Sequence, residues 1–143
     1  MPDRYVYRHR VTFDETNLVG NVYFAHFVHW QGHCREHFLA DEAPAVLAAL
    51  GDGLALVTVD CAVEFYAECV ALDEVEVHMT LHRQNANRIT MGFEYLRAGP
   101  TAELLARGRQ TVACMRRTSA GLAPLALPDA LAEALARFGG ARH

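Results

Sequence analysis

Residues 14–39 read DETNLVGNVYFAHFVHWQGHCREHFL, and this run decides the fold. It opens with the turn formers Asp14-Glu15-Thr16-Asn17, reaches Gly20, which allows a tight approach, and then turns apolar. Val22, Phe24, Ala25, Phe27, Val28 and Trp30 crowd together, and Cys34, Phe38 and Leu39 continue at helical spacing. The spacing predicts a helix from Val22 to about Leu39, with Asn21 placed to cap it. So much of that helix is apolar that it is expected to be buried rather than to lie on the outside.

Outward from the helix the pattern changes period. Upstream, Tyr5 to Phe13 is rich in β-branched and aromatic residues and reads as a strand. Downstream, Ala43 to Leu50 reads as a second short helix, ended by Gly51-Asp52-Gly53. Ala55, Val57, Val59, Cys61, Val63 and Phe65 then alternate with other residues as in a strand. Val75, Val77, Met79 and Leu81 alternate with Glu76, His78, Thr80 and His82, the cleanest strand in the chain. Ile89, Met91, Phe93 and Tyr95 follow a turn at Asn85-Ala86-Asn87, and Leu104 to Arg116 follows Gly99-Pro100. Pro128 opens a short helix through about Phe138. The four later strands are expected to pair as an antiparallel meander, with the first strand inserted or added at one place. The fold class is α+β, a five-stranded antiparallel sheet wrapped around one long central helix, in a single domain over residues 1–143 with no linker or repeat.

With 143 residues, 52% hydrophobic and 21% charged, the chain has the composition of a soluble globular domain large enough for its own core. No apolar run is long enough to cross a membrane, and the polar start Met1-Pro2-Asp3-Arg4 carries no signal peptide, so a cytoplasmic protein without a membrane partner is expected. A net charge of −4 argues against nucleic acid as a partner. Cys34, Cys61, Cys69 and Cys114 have neither disulfide-framework nor metal-knuckle spacing and are expected as free thiols. All 13 basic residues are arginine, which excludes a lysine Schiff base.

Several common catalytic arrangements are missing. The one serine, Ser119, sits in no Gly-x-Ser-x-Gly elbow, and there is no phosphate-binding glycine loop. His29, His33 and His37 are four apart and share a helix face with metal-like spacing, but no His-Glu-x-x-His motif accompanies them; with His26 they read as a polar stripe, and no metal is expected. The loop from Asp14 to Phe24 is more telling. The first N–H groups of a helix are unpaired and carry partial positive charge, so they suit the oxyanion of an attacked thioester. The same groups also suit an ordinary capped helix that meets only Asn21 and water.

Residues Thr16 to Leu39 resemble the 4-hydroxybenzoyl-CoA thioesterase branch of the hotdog superfamily. That pattern runs Asp-x-x-Gly-x-Val-x-Phe or Tyr, then tryptophan or phenylalanine, then arginine; Gly20, Val22, Phe24, Trp30 and Arg35 take those places. The run from Asn17 through His26, with Trp30-Gln31-Gly32 and Cys34-Arg35-Glu36, is closer still to the thioesterases of enediyne polyketide pathways. Where the broader family carries its catalytic aspartate, this chain has Asn17, as the enediyne group does; asparagine does not titrate and is neither nucleophile nor general base. Glu15 and Asp14 lie nearby on the turn, without having to reach the same point.

The resemblance implies a hotdog thioesterase that needs no cofactor. It would release a β-keto polyene acid, able to lose carbon dioxide, from the acyl carrier domain of an iterative enediyne polyketide synthase. Asn17 would hydrogen-bond the carbonyl or hold a water, N–H groups near Tyr23 and Phe24 would take the developing charge, and Arg35 would bind an oxyanion or carboxylate, although a charge that snorkels off a buried helix or pairs with Glu36 or Asp41 explains Arg35 equally. Gly20, Phe27 and Phe65 would shape the acyl channel with Tyr23, although core packing explains such aromatics equally. Arg83 and Arg88, flanking a turn, would meet the phosphopantetheine phosphate or an acidic carrier surface, although a solvated turn explains them almost as well. Phe24 and Arg35 are eleven positions apart, about 16 Å along one helix. Arg35 would therefore come from a neighbouring subunit of a homodimer or homotetramer. Two alternatives remain: an acyl-CoA thioesterase for an aromatic or short-chain substrate, and a non-catalytic acyl-binding hotdog protein.

Overall fold

Alternation along each strand sorts its residues into an inner and an outer face. In the computed structural model, which describes residues 3–139, five long strands form one antiparallel sheet: β1 (Tyr5–Arg10), β2 (Leu54–Phe65), β3 (Glu74–Asn85), β4 (Arg88–Arg97) and β5 (Leu104–Thr118). The long helix α1 (Ala25–Glu42) is followed by α2 (Pro44–Ala49), and α3 (Asp129–Ala136) lies near the C-terminus. Val75, Val77 and Met79 of β3, with Ile89, Met91, Phe93 and Tyr95 of β4, share a buried core with Phe27, Trp30, Cys34, Phe38 and Leu39 of α1. This is the hotdog arrangement expected from the sequence.

The strand order is β1-β3-β4-β5-β2. β3, β4 and β5 form the expected meander, but β2 pairs with β5, from Leu54↔Arg116 to Phe65↔Ala106, and not with β3. The link over residues 66–73 is too long for a tight hairpin. Its Tyr66 and Ala67 N–H groups donate to the Leu105 carbonyl, and Val70 bridges Asn21 beside the approach to α1. β2 is therefore an edge strand, with β1 at the opposite edge.

The element ends differ from expectation for local reasons. β1 stops at Arg10, where its partner β3 begins at Glu74; Phe13, expected in the strand, opens a one-turn 3-10 helix over Phe13–Glu15. α1 begins at Ala25 because Asn21 and Val22 are held in extended bridges to Val70 and Thr16. Asn21 therefore does not cap the helix, and its side-chain amide donates instead to Glu68 Oε1 at 3.1 Å. The helix is also buried on one side only, since His29, His33, Glu36 and His37 are exposed. A short sixth strand, β6 (Gly121–Pro124), folds back on Met115–Thr118; Gly121, at φ +119°, takes the reversal that side-chain residues avoid.

All four cysteines are free. Among the described residues no helix is long and apolar enough to cross a membrane, and no group of three or more His, Cys, Asp or Glu is placed to hold a metal.

The start of α1 is tied to the sheet by Tyr95, a fully buried ring whose hydroxyl donates to the Phe27 carbonyl at 2.8 Å. Tyr95→Phe removes that bond with almost no change of volume. It is expected to cost about 1 kcal/mol, read as a lower urea midpoint at unchanged slope.

Candidate active site

The loop before α1 is built on one buried carboxylate. Thr12 and Glu15 stand in a Thr-x-x-Glu pattern, and Glu15 Oε1 accepts the Thr12 N–H at 2.9 Å. His9, on the inner face of β1, reaches the same carboxylate through Nε2 at 2.9 Å, and the Trp30 indole N–H donates to Oε2 at 3.0 Å. The Tyr7 hydroxyl lies 3.0 Å from His9 Nδ1, so the network runs from β1 through the loop to α1. The Glu15 backbone carbonyl also accepts the Tyr23 N–H at 3.0 Å. Burial alone would push the Glu15 carboxyl up; the bonds from Thr12, His9 and Trp30 outweigh it and hold the group down at about 2. A carboxylate this weakly basic, with both oxygens engaged, is poorly suited to taking a proton from water.

Asn17 follows in an exposed turn. Its Oδ1 accepts the Val19 N–H at 3.0 Å, its backbone N–H donates to the Asn21 carbonyl at 2.9 Å, and Gly20 closes the turn at φ +91°. With Oδ1 engaged, the Nδ2 amide is the face left for a ligand: it donates to no group among the described residues, and an aspartate here would offer no such donor. At the helix start the two N–H groups suggested by the sequence differ. That of Tyr23 is spent on Glu15, whereas those of Phe24 and Ala25 donate to nothing among the described residues. The N-terminal turn thus presents two open donors at the positive end of an 18-residue helix.

Beside these donors lies a groove of about 350 Å³ lined by Asn21, Val22, Phe24, Phe27, Phe65 and Tyr66, among others. Phe24 and Phe65 are half-exposed along it. Phe27 is buried, edge-on to Phe65 with ring centroids 5.1 Å apart, and is core and groove floor at once. Tyr23 packs against Phe24 in a tilted pair with ring centroids 4.7 Å apart and is half-exposed.

The predicted arginines lie elsewhere. Arg35 is part-buried further along α1, where one guanidinium N–H donates to Gln110 Oε1 at 2.8 Å. Burial loosens the hold of this guanidinium on its proton and Glu36 opposes that, but an arginine stays charged. Among the described residues no carboxylate comes within ion-pair distance of it. Arg83 and Arg88 are exposed at the β3–β4 hairpin, where Arg88 is opposite Ala113. Phe65 is opposite Ala106, seven residues away on β5 and so about 24 Å along the strand. Within one chain, then, Phe24, Phe27 and Phe65 share the groove, and Asn17 is linked to its rim through the bond from its N–H to the Asn21 carbonyl, while Arg35, Arg83 and Arg88 do not line it. Sequence reading gave no role to His9, Gln31 or Gln110, although Gln31 stands in the Trp30-Gln31-Gly32 run; period-two placement of His9 on the inner face of β1 and the Thr12–Glu15 pattern were the available signals.

A family model described as Thioesterase-like superfamily matches residues 11–135. A search of curated proteins finds no match. Among solved structures the chain is similar to the dynemicin thioesterase, whose crystal structures are described as revealing induced-fit and allosteric effects upon polyene binding: identity is 66%, the TM-score is 0.91, and the match covers 94% of this chain and 96% of that one. A 1,4-dihydroxy-2-naphthoyl-CoA thioesterase from Synechocystis is 26% identical at a TM-score of 0.81, covering 92% and 95%. The 4-hydroxybenzoyl-CoA thioesterase from Pseudomonas sp. strain CBS-3 is 15% identical at a TM-score of 0.78, covering 92% and 98%, a likeness of fold alone.

The Glu15 carboxyl, held at about 2 against an ordinary 4.5, makes stability depend on pH. Its contribution is fully present above the unfolded value and is lost as pH falls from about 4.5 towards 2, on the order of 3 kcal/mol in all. Glu15→Gln is expected to melt lower at pH 7 and to lose most of this acid sensitivity, as followed by thermal melts from pH 7 to 3.

Proposed function

We propose, since the chain belongs to the thioesterase-like superfamily and is a hotdog-fold thioesterase, that it hydrolyses a β-keto polyene thioester held on the acyl carrier domain of an iterative enediyne polyketide synthase. The likeness to the dynemicin thioesterase, near full length, is the observation that carries this substrate class. The groove beside the open helix start supports it, because its aromatic lining suits a conjugated chain. The thioester carbonyl is set toward the Asn17 amide and the Phe24 and Ala25 N–H groups. Water adds to the carbonyl carbon, its proton passes to the departing thiolate or to solvent, the C–S bond breaks, and a β-keto acid and the carrier thiol leave. Fixed donors aimed at the developing oxyanion supply the rate enhancement in place of a titrating carboxylate.

The arginine completes the site from a second copy. β2 is an edge strand, and its Val57 and Val59 are partly exposed. Antiparallel pairing of two such edges about a two-fold axis carries the Arg35 region of one protomer towards the Phe65 end of the other. The same operation brings the partner's Arg83 and Arg88 towards the groove mouth, where a phosphopantetheine phosphate would lie. Homodimers of this kind can pair further into tetramers.

Two experiments test the reading. The protein is incubated with a polyene-loaded carrier domain and, separately, with a panel of aromatic and short-chain acyl-CoA thioesters. Turnover of the carrier-bound chain is expected, with a roughly 10- to 1,000-fold loss in Asn17→Ala; preference for an acyl-CoA would make the chain a CoA thioesterase, and binding without turnover an acyl-binding protein. The second experiment mixes the impaired Asn17→Ala and Arg35→Ala proteins after dissociation and subtracts the residual activity of each. A shared site predicts recovery of about a quarter of wild-type activity, because half the dimers are mixed and each then holds one intact site. A site within one chain predicts none.

A further inference from the structure

Gln31 and Gln110 are buried polar residues that no catalytic step uses. Buried amides persist where their bonds are met, and these form one line. Arg35 donates to Gln110 Oε1 at 2.8 Å, Gln110 Nε2 points to Gln31 Oε1 at 3.4 Å, and Gln31 Nε2 donates to the Ala62 carbonyl of β2 at 3.2 Å. The two ends fix the direction: a guanidinium only donates and a backbone carbonyl only accepts, so neither amide can flip without losing a bond. Gly108 leaves the room, since a Cβ there would stand 2.4 Å from Gln31 Nε2 and 3.1 Å from the Ala62 carbonyl.

We infer that Gln110 and Gln31 are positioning residues for Arg35, an amide relay anchored on β2 that sets where the guanidinium points. The inference rests on the proposed role of Arg35 in hydrolysis. One donor is used to aim the group, no carboxylate among the described residues neutralises it, and its other N–H groups stay available for an anionic oxygen. The anchor on β2 matters because β2 is the strand through which the second copy is proposed to join. The relay thus fixes the arginine relative to the very edge across which it must act.

The test is a double-mutant cycle on the assembled enzyme with a thioester substrate, reading kcat and KM separately. Gln110→Met keeps the length and volume of the side chain but removes both polar atoms, so the buried position remains filled. A misdirected arginine is expected to lower kcat about 10- to 100-fold, with KM changed less than about twofold, and Gln31→Met should follow in the same direction. Added to Arg35→Ala, Gln110→Met should have no further effect, because there is nothing left to aim. Losses that multiply in the double variant, or a Gln110→Met enzyme with wild-type kcat, would overturn the relay. Full activity in Arg35→Ala alone would instead overturn the role of Arg35 and leave the reason for the amide line to be found elsewhere. Gly108→Ala gives an independent check: its Cβ displaces the Gln31 amide, and an unchanged kcat in that folded variant would also count against the relay.

Discussion

A carboxylate taken out of water must be given partners, and the way Glu15 is satisfied organises the structure around the groove. Its side chain gathers His9 from β1, Thr12 from the turn and Trp30 from α1, while its backbone carbonyl holds Tyr23 at the helix entry. Strand, loop and helix are thereby fixed to one another at a single residue. The Asn17 turn hangs from this point, and the helix start with its two open N–H groups is oriented by it. An acid that sequence proximity made a rival for the chemistry is thus committed to structure, and the proposed site relies on the uncharged Asn17 in its place.

Much of this was legible in the sequence because period is legible. Alternation at Val75–Leu81 and Ile89–Tyr95 gave the strands and their inner faces, and the apolar run from Val22 to about Leu39 gave the long helix, three residues early at its start. Residues close together in the chain, Asn17, Gly20 and Phe24, could be placed in one loop and helix entry on the same grounds. Contacts between distant segments left weaker marks. The pairing of β2 with β5 instead of β3 depends on where a long link runs, and that link is fixed by backbone bonds at Tyr66, Ala67 and Val70 that no composition announces. Asn21 looked like a helix cap because caps are recognised by residue type, yet a bridge to Val70 holds it in extended backbone. Gln31 and Gln110 are seventy-nine positions apart and have meaning only as a pair.

The division of the polar groups along α1 carries its own lesson. The helix start offers neutral donors, whereas the charged donor stands several turns on, among buried amides. A single helix is too stiff to bend one toward the other. Chemistry that needs both must come from two helices, which makes assembly part of the proposed active site and links turnover to protomer association.

The same geometry bears on how the protein survives its own synthesis. β2 presents an open row of backbone donors and acceptors flanked by Val57 and Val59, with Cys61 exposed nearby. Asp60 and Glu64 are the exposed charges on this strand, and no lysine anywhere in the chain adds to them in discouraging unwanted strand addition. A newly made protomer therefore carries a sticky border from the moment the sheet forms, and what it meets first decides its fate. An identical edge closes it off. A partly folded chain extends it into an aggregate. Yield on expression would then reflect a race between association and misassembly, with slow synthesis at moderate temperature favouring the closed pair.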